Sequence, residues 1–228
     1  MDSVGRIVSS MQAAAKDCQW SIPDEQSIRE IIGLSLKVAI PILFGVRNEA
    51  EIELLINRYR EHYLFLDPTP TTLFPGVKEV LAALKAQGYL LAVATGKARA
   101  GLDRVLEQTK SAHLFEATRA ADEANSKPDP LMLEQILDQL SIPVTQALMV
   151  GDSIHDMEMA RRLGMDRIGI TWGSHDATAL QGYAPCQIFD DLSQLLTWLP
   201  ASTSPVVESY PIQLACRSVP SMVNRQGR

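Results

Sequence analysis

The sequence has 228 residues, enough for one domain with a substantial core and a smaller inserted unit. A net charge of -6 and a pI near 5.2 argue against a nucleic-acid-binding protein, and three dispersed cysteines argue against a zinc site or a disulfide framework. We expect no membrane role and a cytoplasmic location, because no secretory signal is visible and the most apolar window, residues 31–46, contains Lys37 and Pro41.

The first third of the chain has helical periodicity. Apolar residues recur at three- and four-residue steps from Val4 to Cys18 and again from Ile52 to Tyr63. Asn48 is a candidate N-cap for the second of these segments, and further isoleucines lie between the two. Residues 4–66 are therefore predicted to form a small bundle of helices.

From Phe74 onward, helical and strand patterns alternate. The predicted helices are 76–87, 98–108, 130–140 and 154–163, and the predicted strands are 90–94, 114–118, 147–150 and 167–171. Regular alternation predicts an α/β fold with a doubly wound parallel sheet, a Rossmann-like core. Residues 200–228 are predicted to be a flexible tail, and a strand at 206–210 is a weaker alternative because Pro205 and Pro211 bracket it.

An acidic turn comes directly after the predicted strand 147–150. Asp152 and Asp156 are four residues apart, which places both carboxylates on one side of the first turn of the next helix. Carboxylate oxygens at the carboxyl end of a parallel strand are suitable ligands for Mg²⁺. The alternative is that Asp152 only caps this helix and Asp156 only lies in its first turn.

Two further segments have the same strand-then-loop pattern. Thr95, Gly96 and Lys97 come directly after an apolar strand, where a hydroxyl and backbone N–H groups could bind a phosphoryl oxygen, although Thr95 could also be an ordinary N-cap. Lys127 lies between Ser126 and Pro128, in a loop that the prolines stiffen. A plain surface lysine is the alternative for Lys127.

Together, in this order and spacing, these segments resemble the second, third and fourth motifs of the haloacid dehalogenase-like hydrolases, in the branch of the phosphoglycolate phosphatases. The resemblance covers roughly residues 1–199. It implies a helical cap at 4–72 inserted after the first motif, and an α/β core at 73–199 with residues 1–3 as the remnant of that motif.

The resemblance also implies a chemistry. It implies Mg²⁺-dependent hydrolysis of a small phosphorylated metabolite through an aspartyl-phosphate. Thr95, Gly96 and Lys97 would bind the phosphoryl group, and Lys127 would neutralise charge between nucleophile and phosphoryl group. Asp152 would be a metal ligand, and Asp156 a ligand or a partner behind it.

The sequence departs from the family at its start. Family members begin with a strand ending in Asp-x-Asp-Gly-Thr-Leu, whose first Asp attacks phosphorus, and no Asp-x-Asp-Gly-Thr occurs in these 228 residues. Residues 1–4 match only the family positions just after that motif. In relatives this strand is central, between the strands that here end at Thr95 and Val150, so we hypothesise a chain start placed too late.

Three functions remain open from the sequence. The first is a small-molecule phosphatase; because this exact chain lacks the family's nucleophile, we expect it to have no meaningful turnover. A phosphomutase would need the same nucleophile and has no separate signal here. A pseudoenzyme that binds a phosphorylated ligand or a protein partner is the third.

Overall fold

The computed structural model describes residues 1–46 and 48–200. Its helical part consists of α1 (Val4–Asp17), α2 (Glu25–Ile31), α3 (Leu36–Phe44) and α4 (Glu49–Glu61), with a π-helical turn at His62–Leu66. Asn48 caps α4 as predicted, because its side chain accepts a hydrogen bond from the backbone N–H of Ala50 at 2.9 Å. We call residues 4–72 the cap.

The cap has its own hydrophobic core. α1 packs against α4, and α2 and α3 close the bundle beside them. The side chains at its centre are fully buried and apolar, and they come from all four helices: Met11, Ile28, Ile40 and Leu55. The helical periodicity of the sequence therefore reports a genuine packing interface.

The remainder of the described chain alternates helices and strands. The helices are α5 (Val77–Ala86), α6 (Arg99–Thr109), α7 (Leu131–Leu140), α8 (Ile154–Leu163), α9 (Ala177–Gln181) and α10 (Gln194–Trp198). The strands are β1 (Ala92–Ala94), β2 (Ala117–Arg119), β3 (Leu148–Gly151), β4 (Asp166–Ile170) and β5 (Gln187–Phe189). The α/β fold with parallel strands is confirmed.

One predicted strand is displaced. The sequence predicts a strand at 114–118, but residues 112–114 form a 3₁₀ turn and β2 begins at Ala117. Leu114 donates its backbone N–H to Ser111 at 3.0 Å and is itself buried, so its apolar character reflects a buried turn. The sequence analysis also missed β5, α9 and α10, which are too short to show a period.

The sheet is divided within the part of the chain that the structure describes. β1 pairs with β2, and β3, β4 and β5 pair in that order, all parallel, but β1 and β3 do not pair with each other. The backbone carbonyl of Leu91 and the backbone N–H of Thr95 form hydrogen bonds on the β2 side of the strand. Because backbone groups alternate in direction along a strand, those of Ala92 and Ala94 point away from β2. The division lies between the strands that the sequence analysis expected to flank a missing one.

Burial along the strands agrees with this division. In β3 every residue is half-buried, and in β1 Ala92 is exposed, whereas Ile168 of β4 is fully buried. A strand inside a doubly wound sheet is normally covered on both faces and both edges. β1 and β3 therefore have the burial of edge strands.

Helices cover both faces of the strands. On one face, Leu148 and Val150 of β3 pack with Val80, Leu84 and Leu195 from α5 and α10. On the other, Met149 packs with Met132 and Met159 from α7 and α8. None of the helices in the described ranges is long and apolar enough to span a membrane. Apart from Pro200, the tail predicted at 200–228 lies outside the described residues.

Candidate active site

The acidic turn begins α8. Ser153 is its N-cap, and its side chain accepts from the backbone N–H of Asp156 at 3.2 Å. In return, Asp156 Oδ2 accepts from the Ser153 backbone N–H at 3.2 Å and from the Ser153 hydroxyl at 2.7 Å. This capping box explains why the helix starts here, and it fixes one carboxylate oxygen of Asp156.

Asp156 and Lys127 form a buried ion pair. Lys127 Nζ lies 2.6 Å from Asp156 Oδ1, and each residue is only 5% exposed. Burial alone would raise the pKa of Asp156, but the charge and hydrogen bond of Lys127, with the bonds from Ser153, outweigh burial and hold that pKa below its usual value. Both oxygens of Asp156 are therefore engaged within the protein.

Lys127 also bridges the two parts of the sheet. Besides its bond to Asp156 on α8, its Nζ donates to the backbone carbonyl of Ala94, the last residue of β1, at 2.9 Å. The sequence predicted a functional lysine at this position, and the structure places its ammonium between the carboxyl ends of β1 and β3. That location is where an α/β sheet presents ligand-binding groups.

Asp152 lies at the end of β3 and is enclosed by residues 173–175. Its Oδ2 accepts from the Ser174 backbone N–H at 2.9 Å, and its backbone carbonyl accepts from His175 N–H at 3.2 Å. A side chain at Gly173 would overlap the Asp152 carboxylate, so this loop passes close to it only because residue 173 is glycine. Burial lowers the pKa of the Met1 amino group, and the charges of Asp152 and Lys97 shift it in opposite directions.

Thr95, Gly96 and Lys97 turn from β1 toward α6. The Thr95 hydroxyl accepts from the Lys97 backbone N–H at 3.2 Å, which gives the loop a fixed shape. A Cβ atom at Gly96 would lie 2.5 Å from the carbonyl oxygen of Gly33. The cap therefore touches the core directly at the predicted phosphate loop.

Residues 33–35, which we call the cap loop, contact all three predicted motifs. Gly33 adopts a φ of 108°, and a Cβ there would lie 3.0 Å from the Ser153 hydroxyl. Ser35 donates its backbone N–H to the Ser126 hydroxyl at 2.9 Å. The cap loop is thus packed over the residues that the sequence proposed as a site.

Gly96→Ala should separate the cap loop from the phosphate loop, because the added methyl would meet backbone oxygen instead of a movable side chain. We expect the variant to melt a few degrees lower, a loss of about 1–2 kcal/mol. Gly101→Ala, five residues along in α6, is the matched control, since its Cβ would meet only Lys97 Cβ at 3.8 Å. That change should raise the melting temperature slightly. Equal melting curves for Gly96→Ala and the parent would contradict a tight contact at this position.

Two histidines meet beside the acidic turn. The rings of His155 and His175 are 6.1 Å apart and perpendicular, and His155 Nε2 is 2.8 Å from the carbonyl of Glu30 in α2. Burial lowers the pKa of both rings, which favours their neutral forms. His155 thus has a hydrogen-bond partner in the cap, and neither His175 nor the cap loop belongs to a motif that the sequence analysis could have identified.

The donor chemistry at Asp152 suits a hard cation. No hydrogen bond to its Oδ1 occurs among the described residues, so this oxygen is available to a ligand such as Mg²⁺. The described ranges contain no cluster of three or more histidine, cysteine or acidic residues able to hold a metal. Asp152 fits a magnesium ligand, and a complete coordination shell would need further oxygen donors.

Comparison with known proteins decides the family. The sequence profile of the family "Haloacid dehalogenase-like hydrolase" matches residues 1–170. This chain belongs to the haloacid dehalogenase-like hydrolases. The predicted resemblance is therefore confirmed at the level of the family.

Relatives of this hydrolase include named phosphatases. The chain is 35% identical over 214 residues to "Probable phosphatase IndB" of Dickeya dadantii, covering 90% of the chain and 93% of that protein. It is 30% identical over 207 residues to a phosphoglycolate phosphatase of Vibrio cholerae, covering 86% of the chain and 90% of that protein. The chain thus spans nearly the whole length of both.

Solved structures of haloacid dehalogenase-like proteins agree with the fold. A haloacid dehalogenase-like hydrolase from Bacteroides fragilis matches with a TM-score of 0.79 and 26% identity over 85% of this chain and 93% of that one. A predicted phosphoglycolate phosphatase from Haemophilus somnus matches with a TM-score of 0.75 and 26% identity, over 86% and 92% of the two chains. The hydrolase fold is therefore shared along most of the chain.

Proposed function

We propose that this hydrolase is a Mg²⁺-dependent phosphatase of small phosphomonoesters, and that the 228-residue chain itself has no meaningful turnover. The observation that carries the proposal is the buried pair of Lys127 and Asp156 beside Asp152, at the carboxyl ends of β1 and β3. The names of the relatives support a phosphatase, and phosphoglycolate is the substrate that they suggest. A cytoplasmic location belongs to the same proposal.

We assign the roles from the contacts. Asp152 would hold Mg²⁺ through its available oxygen, while Asp156, with both oxygens engaged, would hold Lys127 in place. Bound Mg²⁺ would withdraw charge from the phosphoryl oxygens. Lys127 would present its remaining N–H to the same oxygens and lower the repulsion that an anionic attack must overcome.

The phosphoryl group would meet two further kinds of donor. The Thr95 hydroxyl and the backbone N–H of Gly96 lie at the turn from β1 toward α6, where oriented N–H groups favour an anion. The cap loop lies against this turn and would exclude bulk water from it. These groups would bind and orient a phosphomonoester without performing the chemical step.

The missing element is the nucleophile. Hydrolysis through an aspartyl-phosphate requires a carboxylate in line with the leaving group, and the family motif that supplies it does not occur in this sequence. Loss of a covalent nucleophile commonly costs several orders of magnitude in rate. For the same reason, a pseudoenzyme that binds phosphorylated ligands is the second candidate function.

The test is to titrate the chain with inorganic phosphate in a calorimeter, with and without MgCl₂, and to assay phosphate release from a panel of phosphomonoesters. We expect phosphate binding that Mg²⁺ strengthens, and no release above the buffer blank. An absence of phosphate binding would overturn the assignment of the site. Robust Mg²⁺-dependent release would overturn the statement that this chain has no turnover.

A further inference from the structure

The side chain of Lys97 crosses from the core to the cap. Its Nζ donates a hydrogen bond to the hydroxyl of Tyr63 at 3.0 Å, and it lies 5.0 Å from the centre of the same ring. Tyr63 belongs to the π-helical turn at the end of α4, whereas Lys97 belongs to the predicted phosphate loop. This contact links the two parts of the molecule beside the candidate site.

Tyr63 is itself held on two sides. Its ring stacks on that of Tyr59 at 5.6 Å, and the guanidinium carbon of Arg6 lies 5.8 Å from its centre. Arg6 also donates to the backbone carbonyls of Tyr63, at 3.4 Å, and Asp67, at 2.8 Å. A ring fixed in this way presents its hydroxyl in one direction. It can therefore hold the flexible side chain of Lys97 in one position.

Lys97 and Lys127 differ in the charged groups that surround them. Lys127 is paired with Asp156, but within residues 1–46 and 48–200 no carboxylate lies within ion-pair distance of Lys97. Lys97 is half-buried, and its direct side-chain partner is a neutral hydroxyl. Of the two lysines at the site, Lys97 is therefore the one whose positive charge is not neutralised by a carboxylate. That charge is available to a bound anion.

We propose that Tyr63 is a positioning residue that holds the Lys97 ammonium beside the phosphate loop, so that anion binding is coupled to contact between cap and core. This inference rests on the proposed function, because it takes the anion to bind at residues 95–97. When the cap moves away from the core, Tyr63 moves with it, and Lys97 loses its hydrogen bond to the Tyr63 hydroxyl. An anion bound at the loop would in turn stabilise the position of the cap, because linkage is reciprocal.

The experiment measures the affinity for inorganic phosphate, with Mg²⁺ present, of the full chain and its Tyr63→Phe, Lys97→Met and double variants. Tyr63→Phe should weaken binding about tenfold, the lower end of what one hydrogen bond to a charged group contributes. In the Lys97→Met background the same change should have almost no further effect. Tyr59→Phe, which also removes a hydroxyl from the cap and leaves the stacked ring, should bind like the parent.

Equal losses from Tyr63→Phe in both backgrounds would show that the tyrosine acts without Lys97 and would overturn the inference. So would an unchanged affinity in Tyr63→Phe, while leaving the proposed function standing. If the parent binds no phosphate, both fall. Hydrogen exchange of the backbone amides gives a second readout. Phosphate should slow exchange in residues 62–66 of the parent and not in Lys97→Met. An equal effect of phosphate on exchange in the two proteins would contradict the coupling.

Discussion

Lys127→Met should lower the melting temperature by about 10 °C, the largest effect on stability that we expect from a single substitution in the core. The change leaves the Asp156 carboxylate buried without its cation, and breaking a buried ion pair in this way costs about 3–5 kcal/mol. It also removes the donor to the Ala94 carbonyl, the bond through which Lys127 joins β1 to α8. Thermal unfolding followed by circular dichroism measures the loss.

A double variant separates the charge from the packing. Lys127→Met with Asp156→Leu removes both charges, and replacing a whole buried pair by apolar side chains is often close to neutral. The double variant should therefore recover much of the stability that the single variant loses, although the capping box with Ser153 is lost as well. If the single variant melts like the parent, the pair is not buried as the structure describes, and the assignment of the site loses its main support.

Local patterns were sufficient where the structure depends on neighbours in sequence. The helix predicted at 154–163 is α8, because its period lies in one short segment, although its N-cap is Ser153 and not Asp152, the cap in the alternative interpretation. Asn48 was found for the same reason. The 3₁₀ turn ending at Leu114 was mistaken for strand, because a buried apolar residue looks the same in both until its hydrogen bonds are known.

The contacts that assemble the site were beyond those patterns. The sequence named Lys127 and Asp156 separately, but nothing in their own segments says that they pair across 29 positions. Tyr63 was recognised only as an apolar position of a helix, and its bond to Lys97 depends on the docking of the cap. Such contacts are set by tertiary packing, which a single sequence records only through a family resemblance.

The divided sheet differs from the single doubly wound sheet that the sequence predicts, and it is divided where the hypothesised missing strand would lie. Among the described residues, β1 pairs only with β2 on one side, and β3 only with β4. The backbone groups of Ala92 and Ala94 in β1 point away from β2. Backbone groups that are buried without partners cost about 1–3 kcal/mol each. β3 is half-buried along its whole length, so this edge is only partly shielded from solvent.

A strand fused ahead of Met1 and ending in Asp-x-Asp-Gly-Thr-Leu should therefore change both stability and chemistry. It would supply both the nucleophile and a strand for the division between β1 and β3. We expect Mg²⁺-dependent phosphate release from small phosphomonoesters to rise by at least about a thousandfold over the unextended chain. Chelation of Mg²⁺ should abolish the gain.

The matched control carries Asn in place of the first Asp of the fused motif. It should melt as high as the active extension and show slower amide exchange at Ala92 and Ala94, because the strand can pair whether or not it carries the nucleophile. Higher stability in both extensions would place the fused strand between β1 and β3. Activity in the Asp form alone would assign the reaction to the carboxylate of the first Asp of the fused motif. If both extensions gain stability and neither releases phosphate, the site binds phosphorylated ligands without turning them over, and the pseudoenzyme replaces the phosphatase.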